Sequence, residues 1–265
     1  MERWKPLSPP PSLPRGRPPD VGTVARSRFA DAETGGAVRL ELLSIDGREF
    51  AMLRQISYEA PGYAEPFIVP ADVAAFRTDL ASVPSVFTWL VPRSGVFLPA
   101  AVLHDGLVHE GEYLGPSIDR VEADRIFRQA MEHLGTGKVR SWLMWAAVTM
   151  ATMWRMPTQR WYWRSVLIGL LAAVAMVGGL ATADLLGVWD VVPWIPESSL
   201  GLELVGGAAG AFVIPALLAL SWRRFAGAGI IVGVALAFLL HVTAVIAMIY
   251  ALYWVVERIV SGAPD

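Results

Sequence analysis

A histidine and an aspartate stand side by side at positions 104 and 105, in an apolar stretch that begins near Pro99. The 3.6-residue spacing of the apolar side chains predicts a helix with His104 on its buried face. A second predicted helix carries Asp124 on the same face as Phe127. A carboxylate beside an imidazole fixes its tautomer and raises its pKa toward neutrality, as a general base requires. We therefore take His104 as the candidate base and Asp124 as the carboxylate that orients it.

The same groups suggest a metal site. Asp79, His104, Asp105 and Asp124 together offer several carboxylate oxygens and one imidazole, a set that suits calcium, magnesium or manganese better than zinc. Asp105 and Asp79 are the candidate ligands of such a divalent cation. None of them has diagnostic ligand spacing such as H-E-x-x-H.

A purely structural interpretation explains these residues equally well. A histidine on an apolar helix face is often a core residue whose hydrogen bonds are satisfied, and Asp124 would then be its partner. Asp79 would cap the turn that follows it. The sequence leaves the catalytic and the structural interpretations open.

The elements around these residues predict an α+β fold. Residues 38–44 and 49–57 alternate apolar and polar side chains around an Asp-Gly turn, which is typical of a β-hairpin. Residues 66–70 are bounded by prolines, as an edge strand would be. Three helices follow, starting near residues 98, 120 and 138. We expect a small antiparallel β-sheet followed by three helices.

The composition indicates a membrane protein. Of the 265 residues, 54% are hydrophobic and 17% are charged, which is too apolar for an ordinary soluble domain. Three nearly uncharged stretches predict transmembrane helices at about 165–185, 203–222 and 229–256. We expect them to form a C-terminal bundle of three transmembrane helices. Small residues at 206–210 and 227–229 offer faces through which copies of the chain could associate.

Other classes of protein are excluded or disfavoured. The chain has no cysteine, which excludes disulfides, thiolate metal sites and cysteine nucleophiles. Its net charge is −2 and no basic stripe is visible, so we expect no nucleic-acid partner. The partner that the composition predicts is the lipid bilayer. His241 is the one histidine within a predicted span, and we interpret it as a helix-packing contact.

The charges at the ends of the predicted spans indicate their orientation. Arginines lie before the first span and between the second and third, whereas the loop between the first and second has acidic residues and no Lys or Arg. By the positive-inside rule, the N-terminal domain is expected in the cytoplasm and the C-terminus outside a multi-pass inner-membrane protein. The arginines are Arg155, Arg160, Arg164, Arg223 and Arg224.

Four segments carry a resemblance to a known family: residues 76–84 (FRTDLASVP), 100–105 (AAVLHD), 122–127 (EADRIF) and 142–145 (WLMW). Their order and spacing resemble domain-of-unknown-function family 1353, which is common in phages, prophages and bacterial genomes. The family pattern reads His-Asp-aromatic-Leu-Tyr, and here Gly106 and Val108 replace the aromatic residue and the tyrosine. We expect three parts: a disordered Pro-rich tail over 1–34, a cytoplasmic domain over 35–156 that resembles this family, and a transmembrane region over 157–265.

A weaker, mechanistic resemblance is to type-A2 phospholipases, which also set a His-Asp pair on one helix against an aspartate on another. It implies that His104 is the base, Asp105 the calcium ligand and Asp124 the orienting carboxylate. The glycine-rich calcium loop and the bracing cysteines of those enzymes are missing here. We therefore expect a membrane-anchored protein with a His/Asp centre, either a hydrolase of lipid or other membrane-proximal esters or a non-catalytic phage-derived scaffold or interaction module.

Overall fold

The computed structural model describes residues 28–46, 49–80, 94–185, 188 and 200–260. The strands are β1 (Phe29–Asp31), β2 (Leu42–Ser44), β3 (Phe50–Met52), β4 (Ile56–Tyr58), β5 (Phe67–Val69) and β6 (Arg77–Thr78). The helices are α1 (Leu98–Leu107), α2 (Arg120–His133), α3 (Lys138–Arg155), α4 (Arg160–Leu185), α5 (Leu200–Ala219) and α6 (Ala226–Val260). A short 3-10 helix, Leu220–Phe225, joins α5 to α6.

The strands form two three-stranded antiparallel sheets, with the orders β1-β4-β5 and β2-β3-β6. The α+β class and the hairpin of β2 with β3 are confirmed, but the expectation of a single sheet is wrong. The stretch 49–57, which the alternation predicts as one strand, is interrupted between Met52 and Ile56. Its two halves consequently pair with different partners.

Arg54 lies in that interruption and joins the two sheets. Its Nη1 is 2.7 Å from Oδ2 of the buried Asp31 on β1, and its Nε is 3.1 Å from Oε1 of Glu41, just before β2. Strand β1 precedes residue 35, where the domain is expected to begin, and its Phe29 is buried in the core.

The core of this N-terminal part lies between the strands and the first two helices. One continuous cluster joins β1, β3, β4 and β5 to α1 and α2. Its largest fully buried members include Tyr58, Phe67, Met52, Leu103 and Ile126. The apolar faces that the sequence predicts for α1 and α2 therefore pack on the sheets and on each other.

The C-terminal part contains two helical stretches that are long and apolar enough to cross a membrane, judged by length and composition: Arg160–Asp184 and Val205–Val260. The expectation of three transmembrane helices is therefore corrected to two such stretches in the described part. Sequence reasoning treats Arg223 and Arg224 as a loop between two spans. In the structure they lie in the 3-10 helix that joins α5 directly to α6, so Val205–Val260 is one stretch even though its backbone departs from helical geometry at Arg223.

The second stretch folds back on itself at Arg223, whose φ of 51° and ψ of −116° are not helical. A Cβ on Gly233 of α6 would lie 2.6 Å from Pro215 Cβ of α5. A Cβ on Gly229 would lie 2.9 Å from Ala219 Cβ. A later residue of α6 thus contacts an earlier residue of α5, so the two helices are antiparallel. The glycines let them approach closely.

His241 joins α6 to α4 through a hydrogen bond between its Nε2 and the hydroxyl of Thr182. The same hydroxyl donates to the Gly178 carbonyl at 2.7 Å. A hydroxyl has one hydrogen to donate, so Nε2 is the donor toward Thr182. This is the contact that the packing interpretation of His241 expects.

Some expectations fall outside the described residues. They are the greater part of the predicted Pro-rich tail and most of the acidic loop between the first two predicted spans, including Asp190 and Glu197.

Candidate functional site

Helix α1 positions His104 and Asp105. Pro99 lies in its first turn, where the missing N–H costs no helical hydrogen bond. Most of the helix is buried, and Gly106 faces β5 so closely that a Cβ would lie 2.6 Å from Val69 Cγ1. The close packing of α1 on β5 therefore fixes the positions of His104 and Asp105 relative to the sheet.

Helix α2 positions Asp124. Asp119 caps it, with Oδ1 accepting from the Glu122 N–H at 2.8 Å, and Gly135 follows its end with a φ of 76°. An aspartate N-cap and a glycine after the last turn are residues typical of the two ends of a helix, and here they mark the ends of α2. Asp124 is 1% exposed, on the face of α2 that packs into the core.

The structure brings His104 and Asp124 into direct contact. His104 Nε2 lies 2.8 Å from Asp124 Oδ1. The imidazole packs on the Phe127 ring, with centroids 4.8 Å apart, and the His104 side chain is 14% exposed. The buried carboxylate therefore holds one ring nitrogen, and part of the histidine side chain remains accessible to solvent.

Two buried polar atoms beside this pair have no hydrogen-bond partner in the described structure: Oδ2 of Asp124 and Nε of Arg120. Arg120 donates through Nη1 to the Val108 carbonyl at 2.9 Å. Burial lowers the pKa of Arg120, as does nearby Arg155, whereas the Asp124 carboxylate raises it. Asp124 thus lies within electrostatic reach of a half-buried cation as well as of His104.

Asp105 and Asp79 belong to a neighbouring part of the site. Asp105 hydrogen-bonds to the buried Thr78, which directly precedes the exposed Asp79. Burial raises the pKa of Asp105, and the charge of Asp79 raises it further, while the Thr78 hydrogen bond lowers it. The two carboxylates that the sequence assigns to a metal are therefore close enough to influence each other.

No cluster of three or more His, Asp or Glu side chains suited to hold a metal occurs among the residues that the structure describes, which include all four candidates. The proposed metal role of Asp79 and Asp105 remains a prediction. Residues 81–93, which follow Asp79 in the chain, lie outside the described part.

Two cavities lie away from His104. One of about 680 Å³ is lined by residues between 157 and 162 and by Arg223, and one of about 440 Å³ lies at residues 137–143, where α3 begins.

Sequence reasoning did not single out Arg120 or Thr78. A signal for Arg120 was available, because it lies four residues before Asp124 and therefore on the same side of α2. No signal was available for Thr78, which lies in a short strand. Only the packing of α1 in the structure shows that its side chain contacts Asp105.

Comparison with known proteins identifies one family. Residues 50–148 match DUF1353, described as "Protein of unknown function (DUF1353)". No curated protein matched the chain, and no solved structure did. The match covers β3 to most of α3, and so includes both helices that form the His104–Asp124 contact. Residues 50–148 of this chain are therefore a DUF1353 domain.

Proposed function

We propose that this protein is anchored in a membrane and holds its DUF1353 domain at the membrane surface. In the most apolar windows of Arg160–Asp184 and Val205–Val260, only 17% and 6% of the residues are buried within the chain. Apolar surface of that extent is costly in water and stable in a bilayer. The core helix of a soluble protein would instead be mostly buried.

The orientation we propose follows from the arginines. Tyr162, beside Arg160 at the start of α4, donates to the Ser221 carbonyl at 2.6 Å, and the guanidinium of Arg223 lies 5.0 Å from the Tyr162 ring. The arginines before α4 and those of the 3-10 helix thus share one end of the apolar helices. By the positive-inside rule that end, with the DUF1353 domain, lies at the cytoplasmic face of the inner membrane, and α6 leads away to the outside.

For the His/Asp centre we propose general-base hydrolysis of lipid or another membrane-proximal ester. The observation that carries this proposal is the 2.8 Å contact between His104 Nε2 and the buried carboxylate of Asp124. With Nε2 held, Nδ1 would accept a proton from water while the water oxygen attacks the ester carbonyl. Collapse of the tetrahedral intermediate breaks the ester bond, and the imidazolium returns the proton to the departing alkoxide.

A divalent cation at Asp105 and Asp79, calcium or magnesium by the chemistry of the carboxylates, would polarise the ester carbonyl. The role of His104 and Asp124 as base and orienting group does not depend on that cation.

The second candidate function is a non-catalytic scaffold or interaction module. It is favoured by the packing of the His104 ring on Phe127 and by the low exposure of the His104 side chain. In this case the His104–Asp124 contact joins α1 to α2 and contributes only to stability.

The test compares His104→Ala and Asp124→Asn with His109→Ala, a control that removes an exposed histidine just after α1. If the pair is catalytic, the wild-type protein cleaves phospholipid vesicles, and each variant at the pair loses on the order of 100-fold in rate with the fold retained. Thermal unfolding in detergent checks the fold. An inactive wild-type protein whose unfolding temperature falls in both variants would support the scaffold and overturn the hydrolase.

A further inference from the structure

One cavity of the described structure lies just beyond the end of α3, between the start of α4 and the 3-10 helix. It has a volume of about 680 Å³ and is lined by Pro157, Gln159, Arg160, Trp161, Tyr162 and Arg223. Two parts of the chain that are 60 residues apart therefore form its walls. The hydrogen bond from Tyr162 to the Ser221 carbonyl joins the two walls, so the cavity is already formed by the fold.

The cavity is positively charged. Arg160 and Arg223 are both exposed, and no acidic side chain lines the cavity with them. The sequence has no Asp or Glu between Glu132 and Asp184, or between Glu203 and Glu257. Within the described residues, neither arginine forms an ion pair.

The neighbouring arginines are held by other contacts. Arg164 donates to the Trp154 carbonyl and stacks on its ring, while Arg224 lies against the Phe225 ring and 3.7 Å from Met156 Sδ. Arg160 and Arg223 are thus the cations of this region that face the cavity. Guanidinium groups bind phosphate oxygens through paired hydrogen bonds, which makes an anion with several oxygens the complementary ligand.

The surroundings of the cavity favour a lipid as the source of that anion. The Trp161 side chain is 74% exposed at its edge, where an amphipathic ring would lie at the level of lipid headgroups. Beyond it, α4 continues into its apolar stretch, with Ile168 exposed. A ligand with a phosphate at one end and acyl chains at the other matches the order of these surfaces, from the arginines through Trp161 to the apolar face of α4.

We propose that the cavity between Arg160 and Arg223 binds the phosphodiester headgroup of an anionic phospholipid. The proposal rests on the membrane anchoring argued above, and assigns the arginine-lined end of the helices a specific ligand. The two guanidinium groups contact the phosphate, Tyr162 and Trp161 border the headgroup, and the acyl chains run along the exposed face of α4.

The test uses the full chain, purified in detergent and reconstituted into nanodiscs of phosphatidylcholine alone or mixed with phosphatidylglycerol. Lipid that stays bound after extraction is identified by native mass spectrometry. The wild-type protein should retain phosphatidylglycerol, and the double variant Arg160→Gln/Arg223→Gln should retain about tenfold less. Arg258→Gln, which removes an arginine near the other end of α6, is the matched control and should retain as much as the wild type.

Arg223→Gly provides a second variant in case the double variant folds poorly. Arg223 has a φ of 51°, which glycine adopts readily, so this variant removes the cation while favouring the local backbone. It should also lose phosphatidylglycerol.

The remaining outcomes separate the two proposals. Equal retention of phosphatidylglycerol by the wild type and both arginine variants would overturn the headgroup site and leave the anchoring intact. Protection from unfolding by inorganic phosphate alone, equal to that by the lipid, would assign the cavity to a soluble anion instead. A chain that stays soluble when detergent is removed would overturn the anchoring, and the lipid site with it.

Discussion

The charge of Asp105 is disfavoured by the fold. Its half-buried side chain lies against Thr78, and burial is the main reason why its pKa is raised. A raised pKa means that the folded chain holds this proton more tightly than the unfolded chain. Stability therefore decreases as the pH rises from the unfolded pKa, about 3.9, through the raised value, and the full cost is present above that value.

We expect Asp105→Asn to stabilise the protein at neutral pH by about 1 kcal/mol, because the buried charge is removed and the amide oxygen can still accept from Thr78. The gain should shrink as the pH is lowered toward 4. Thermal unfolding in detergent at several pH values measures it, with Glu110→Gln as the exposed control. A variant that is less stable than the wild type at neutral pH would show that the Asp105 carboxylate has a cationic partner or ligand.

At the scale of elements, the site depends on how closely α1 packs on β5. Gly106 allows this approach, because Val69 is fully buried and its side chain occupies the space that a Cβ would need. The family pattern that this segment resembles has an aromatic residue at the position of Gly106. In this chain such a side chain would displace α1 from the sheet, and His104 and Asp105 with it.

Gly106→Ala should lower the free energy of unfolding by about 1–3 kcal/mol through overpacking, although alanine improves the helix propensity by about 1 kcal/mol. Because valine is β-branched, its side chain has little freedom to move aside. Thermal or denaturant unfolding in detergent provides the measurement. Gly169→Ala is the matched control, since Gly169 also lies inside a helix and a Cβ there has no neighbour within 4 Å.

The same pair of positions offers a compensation test. In a Val69→Ala background the space beside Gly106 is open, so adding Gly106→Ala should be neutral or stabilising. If Gly106→Ala destabilises both backgrounds equally, Val69 is not the reason why a glycine lies at this position.

At the scale of the whole molecule, in the proposed membrane arrangement, the direction of α6 determines which ends of the chain share a side of the membrane. The helix starts beside the arginines of the 3-10 helix and has 35 residues. At 1.5 Å per residue it is about 52 Å long, more than the roughly 30 Å of a bilayer core. Its far end should therefore lie on the opposite side from the DUF1353 domain.

Labelling of single introduced cysteines tests this arrangement. The chain has no cysteine of its own that could be labelled. Val260→Cys, at the exposed end of α6, should react with a membrane-impermeant maleimide in intact bacterial spheroplasts. Glu110→Cys, exposed after α1, should react only once the membrane is permeabilised. The reverse pattern would place the arginines outside and contradict the proposed orientation, and the unmodified chain should show no labelling.

The sequence by itself determined the features that depend on near neighbours in the chain. Pro99, Asp119 and Gly135 predict where helices begin and end because their effects act within one turn. The uncharged runs predict long apolar helices, since composition alone sets their cost in water. Periodicity likewise predicts that His104 and Asp124 both face inward.

Only the tertiary structure decided what those features meet. Inward-facing side chains on α1 and α2 have many candidate partners, and the packing of the two helices on the sheets brings Nε2 of His104 to 2.8 Å from Asp124. Strand pairing is equally non-local, so the alternation in 49–57 could not show that β3 and β4 enter different sheets. Arg223 and Arg224 appear in sequence as a loop between two spans, whereas in the structure they lie in a 3-10 helix in which the chain reverses at Arg223, because charge indicates solvent exposure and does not show how the backbone turns.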